Sequence, residues 1–210
     1  MSDVAAAKKL GVVPTIKDGI AIGAKNLGPI LVNVLLWALT VWIPYLNVGT
    51  TIGLMVGIVS KASKGEPIDM TDIFDPKYRK YMGEFFLSSG LINLGVVAGL
   101  IFGIIPGIVI SLAWSLTLLL VIDKGKNPTE ALTISNNCTY GYKWRMVGIY
   151  LLVSIGFSLV SMILLGIGGA TGIAGVIGFF TFITVLLWIF AIFVFIGIQA
   201  SIYKQLTAEV

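Results

Sequence analysis

The sequence predicts an all-α integral membrane protein, with six transmembrane helices arranged as three hairpins and an interfacial amphipathic helix before each. Three observations predict it. Of 210 residues, 57% are hydrophobic and 11% charged, with a mean hydropathy of +1.00. A soluble domain carries roughly 25% charged residues, so this chain lacks the polar groups to face water all round. Apolar runs approaching the ~20 residues needed to span a hydrocarbon core recur along it. Its Lys and Arg residues cluster in alternate connections between those runs, which places them all on one side.

Spans are expected at residues 27–46, 47–60, 85–105, 107–122, 146–166 and 174–202. Within each pair the connection (IPYLNVGT, FGIIPG or GIGGATGIAG) carries no charge. The positive-inside rule makes the charged side the cytoplasm, with both termini there. Residues 47–60 are short for a crossing. One kinked span over 27–60 would instead set Lys8, Lys9, Lys17 and Lys25 against Lys61 and Lys64 across the bilayer, so charge favours two spans. The chain reads as one domain, 1–210, built of units 14–60, 69–122 and 127–204. Its N-terminus has no uninterrupted apolar core before the lysines and does not read as a cleavable signal peptide.

Each unit opens on a polar stretch with helix-start chemistry. The first has Pro14, then Asp18 three residues after Thr15. The second has Asp69 and Asp72 at capping spacing. In the third, Asn127 can cap, Pro128 suits the first helical position and Glu130 completes the box. Apolar and aromatic residues interleave with the charges, as in helices lying at an interface. Tyr78, Tyr81, Tyr140, Tyr142, Trp144 and Tyr203 fall where an aromatic belt belongs.

Glycines four apart line one helical face and admit a close neighbour. Gly95, Gly99 and Gly103 make such a stripe, Gly53 and Gly57 a shorter one, and Gly107 belongs to the turn. Trp37, Trp114 and Trp188 lie inside spans and are expected to pack.

The chemistry-bearing residues are few. Histidine is absent and Cys138 is the single cysteine, which removes the commonest general base and any multi-cysteine metal site. No catalytic residue, cofactor or nucleic-acid partner is expected, and the chain does not read as an enzyme. GIGGATGIAG has glycines but neither the strand nor the following acid of a nucleotide loop, so it reads as a flexible turn. Asp69, Asp72 and Asp75 are weak candidates for a cation through oxygen ligands; a self-neutralising helix start, with Lys77, Arg79 and Lys80 following, is the plainer reading. No ionisable residue lies within an expected span, which argues against proton coupling. Asn33 and Asn93 are the costliest polar groups there; they are expected to point into the bundle and are candidates to line a pore. Lys77, Arg79, Lys80, Lys143 and Arg145 are candidates for lipid headgroup contact.

The stretch IPGIVISLAWSLTLLLVIDKGKNPTEALTISNNCTYGYKWRMVGIYLL, residues 105–152, resembles a broad group of largely uncharacterised bacterial and archaeal polytopic membrane proteins related to the membrane domain of glycerophosphodiester phosphodiesterases. Pro106, Gly107, Asp123, Glu130, Ala131, Leu132, Ser135, Trp144 and Arg145 carry it. The resemblance covers about a quarter of the chain. It implies a six-helix inner-membrane protein with reentrant or interfacial helices, and no catalytic residue. Three functions fit: a self-associating scaffold or accessory subunit with a membrane-protein partner, a small channel with a neutral Ser/Thr/Asn/Gly path, or a lipid-binding protein.

Overall fold

The structure, a computed structural model, describes residues 10–209; Lys8 and Lys9 lie outside them. The described residues form helices and turns throughout. In chain order these are α1 (Val12–Lys25), α2 (Leu27–Thr40), α3 (Leu46–Ile52), a π turn (Gly53–Gly57), α4 (Ile58–Lys64), a 3-10 turn (Asp72–Phe74), α5 (Lys77–Lys80), α6 (Met82–Phe102), α7 (Ile104–Ala113), α8 (Thr117–Lys124), α9 (Pro128–Thr139), α10 (Lys143–Ala170) and α11 (Ala174–Leu206).

Among the described residues, four helical stretches are long and apolar enough to cross a membrane: α6, α7 with α8 as one 21-residue stretch, α10 and α11. The bent pair α1–α2, which turns by 74°, makes a fifth if counted as one span. Twenty-one residues rise about 31 Å, close to the ~30 Å hydrocarbon core. The first expected hairpin supplies no such helix. Its α2 has 14 residues, about 21 Å, and residues 46–64 are interrupted by the π turn. That helix also begins and ends beside charged groups that flank the long helices. Gly49 packs on the Arg79 stem, and the Lys64 ammonium meets Asp123.

Local chemistry explains the elements that differ from expectation. The helix expected from Asp69 onward is two short turns, because Pro76 holds Asp75 in an extended conformation (ψ 121°). The Asp69 N–H still donates to the Asp72 carboxylate, 2.9 Å. Thr15 is no cap either: α1 starts at Val12, and Thr15 is buried against α11. Asn127 does cap α9, accepting from the Thr129 N–H at 3.1 Å behind Pro128. GIGGATGIAG is mostly helix; only residues 171–173 turn, with Gly172 at φ +63°.

The glycine stripe packs within the chain, with one register change. Gly95 faces the Trp114 ring, and Gly99 lies against the Gly107 backbone and Ile110, so α6 and α7 approach closely. Gly103 is the turn residue (φ +141°), whereas Gly107 belongs to the contact face. Trp114 therefore packs as expected; Trp37 does so with its indole N–H on the Thr51 hydroxyl (2.9 Å), and Trp188 is half exposed.

The buried core sits at one end. Phe193, Val194, Ile198, Ile202, Tyr203 and Leu206 of α11 are buried, while the first half of that helix is largely exposed. Helix α1 lies along the buried half: a Cβ on Gly197 would overlap the Gly19 carbonyl, and one on Gly23 would come 2.5 Å from the Phe193 oxygen. At the other end, Leu94, Ile101, Phe102, Ile104, Met162 and Phe182 are exposed.

Candidate functional site

The chemistry concentrates at the charged end of the long helices. Asp123, closing α8, accepts hydrogen bonds from the Ser60 hydroxyl, the Lys64 ammonium and the Tyr203 hydroxyl, the last at 2.9 Å. Three elements distant in sequence are joined at one carboxylate. Lys61, three residues from Lys64, reaches Asp72 at 2.7 Å. Asn33 holds the segment that carries Asp72: its amide donates to the Asp69 carbonyl at 2.7 Å and accepts from the Ile73 N–H at 3.1 Å.

Two clefts open between these groups. One, of about 290 Å³, is lined by Val56, Gly57, Ser60, Lys61, Lys64, Glu66, Lys77, Tyr78, Tyr81, Ile122 and Asp123. Gly57 is required here, since a side chain would overlap the Tyr78 hydroxyl. The other, about 330 Å³, is bounded by Ile22, Lys25, Asn26, residues 62–67 and Lys204. Lys77 pairs with Asp75 at 2.8 Å and lies 5.0 Å from the Tyr78 ring centroid. The hydrogen bond from Lys77 holds the Asp75 carboxyl below its ordinary pKa and raises that of Lys77. Burial raises the Tyr78 phenol.

A second polar group mends the break between α7 and α8. The Ser135 hydroxyl donates to the Ala113 carbonyl (2.7 Å) and accepts from the Leu116 N–H (3.2 Å). Thr139 adds a longer bond to the same carbonyl. On the other side, the Gln199 amide donates to the Ser115 carbonyl at 3.4 Å and accepts from the Tyr150 hydroxyl. Irregular backbone at membrane depth is tolerated only where protein satisfies it. Between α1 and α11, the Ser201 hydroxyl donates to Asp18 at 2.7 Å and accepts from Gln205 at 2.8 Å.

The expected site residues separate into those that meet and those that do not. Asp69, Asp72 and Asp75 do not converge: Asp72 turns to Lys61 and Asp75 to Lys77. Among the described residues no group of three potential metal ligands comes together. Asn33 is fully buried in its backbone clamp. Asn93, expected to point inward, is exposed and donates to the Ser89 carbonyl of its own helix at 2.7 Å. Gly53 and Gly57 pack against Ile73 and Tyr78. Of the headgroup residues, Lys77 enters the first cleft and Lys80 lies 6.0 Å from the Tyr81 ring centroid. Lys143 donates to the Asn136 side chain at 2.9 Å and Arg145 to the Leu10 carbonyl at 3.2 Å.

Ser60, Lys61, Lys64 and Gln199 were not expected as site residues. Gln199 carries a usable signal, because a lone amide in an apolar run demands a partner. The lysines carry none: Lys64 meets Asp123 and Lys61 meets Asp72 only through the fold, across 59 and 11 residues of sequence. No family model, curated protein or solved structure matches the chain.

Proposed function

We propose that this is a multi-pass protein of the inner (plasma) membrane that works without catalysis, as a self-associating helical scaffold or accessory subunit, with both termini in the cytoplasm. One observation carries the reading: burial is concentrated at the charged end, leaving the far halves of α6, α10 and α11 as apolar faces. In a bilayer those faces meet lipid, a second copy or a partner helix, and their glycines suit close helix contact. A Cβ on Gly166, Gly169 or Gly178 would meet nothing within the chain. We read α2 and α3 as a reentrant hairpin that enters and leaves the cytoplasmic leaflet, so that four helices cross instead of six. The charged groups at both ends of residues 46–64 support this. Kinship with the phosphodiesterase-associated membrane proteins is part of the same proposal and rests on residues 105–152.

The channel reading has less behind it, since Asn33 is occupied by backbone and Asn93 faces outward. The test is the mass of the purified protein in nanodiscs, with solute and ion flux measured in proteoliposomes. A discrete oligomer or co-purifying partner without flux is expected. A strict monomer with reproducible conductance would overturn the proposal.

A further inference from the structure

We propose that the paired clefts at the charged end hold the phosphate-bearing headgroup of an anionic phospholipid. The inference needs the membrane setting, and does not depend on self-association. The two clefts, about 290 and 330 Å³, share Lys64 and Glu66. Lys25, Lys61, Lys64, Lys77 and Lys204 border them against the carboxylates Glu66 and Asp123. That is five positive charges to two negative. Adding Asp72 and Asp75, which grip Lys61 and Lys77, still leaves the positive charge in excess.

The lysines are positioned as well as numerous. An ammonium has three donors, and Lys61, Lys64 and Lys77 each make one carboxylate contact. The contact fixes the side chain and leaves donors for a ligand, so less rotamer entropy is lost on binding. Position selects a lipid over a soluble phosphate. Tyr81 directly precedes α6, and Ile122 and Asp123 close α8. The cleft thus opens where two apolar helices end, the depth at which headgroups and belt tyrosines sit.

The test is lipid binding by the full-length protein in detergent, read by native mass spectrometry as phosphatidylglycerol and phosphatidylcholine are titrated separately. Phosphatidylglycerol should bind preferentially. The double variant Lys25→Gln/Lys77→Gln should weaken it roughly ten- to thirty-fold, at the usual contribution of a lysine near an anionic surface. Lys17→Gln/Lys126→Gln removes the same charge elsewhere and should change binding by less than about two-fold. Unchanged melting temperatures would show both variants folded. Equal loss in the two variants, or no preference over phosphatidylcholine, would overturn the proposal. So would saturable binding of inorganic phosphate without lipid that shows the same dependence on Lys25 and Lys77.

Discussion

Ser135 shows how much one hydroxyl can carry. It is fully buried and satisfies both a carbonyl and an N–H at the break between α7 and α8. Ser135→Ala orphans the Leu116 N–H, leaves the Ala113 carbonyl only the longer bond from Thr139, and should cost about 1–3 kcal/mol. Thr117, one residue past the break, is equally buried, but its hydroxyl has no partner. Thr117→Val should therefore be neutral or slightly stabilising, within about 0.5 kcal/mol. Melting of the two variants in one detergent checks the contrast, and equal destabilisation would refute it. Legibility at this scale follows sequence distance. The Asn127 cap could be read because its partner is two residues away. Asn33 could be identified as costly to bury, yet its partners lie 36 and 40 residues on. Asn93 reads alike and faces outward, because a helical amide can satisfy itself on the preceding turn.

Among the elements, α1 packs closely along α11, and glycine permits it. A side chain at Gly197 would overlap the Gly19 carbonyl, a backbone atom that cannot rotate away. Gly197→Ala should lift α1 from α11 and cost about 1–3 kcal/mol, the usual range for overpacking. Limited proteolysis should then cut within residues 12–25. Gly178→Ala, in open space on the same helix, should leave the cleavage pattern unchanged, and equal protection of both variants would contradict the account. The stripe at Gly95 and Gly99 was legible because a regular helix repeats its faces. The π turn, the split at Pro76 and the reentrant character proposed for α2–α3 were not. Apolar composition looks the same in a crossing helix and in one that lies against others at the membrane edge, and only length separates them.

For the whole molecule, composition was sufficient for the helical, membrane-compatible class. A chain with 11% charged residues has too few charges for a surface exposed to water all round. The asymmetry of burial was not legible, since hydropathy cannot distinguish a residue buried in protein from one facing lipid. We propose four crossings, with the charged connections gathered on one side. Single cysteines at Trp42, Phe102 and Thr171, introduced with Cys138→Ser, test it most directly by labelling intact cells with an impermeant maleimide. Labelling is predicted at positions 102 and 171 from outside, and none at position 42 from that side, because the turn between α2 and α3 stays within the cytoplasmic leaflet. Labelling of position 42 from outside would restore six crossings, and silence at 102 and 171 would reverse the orientation.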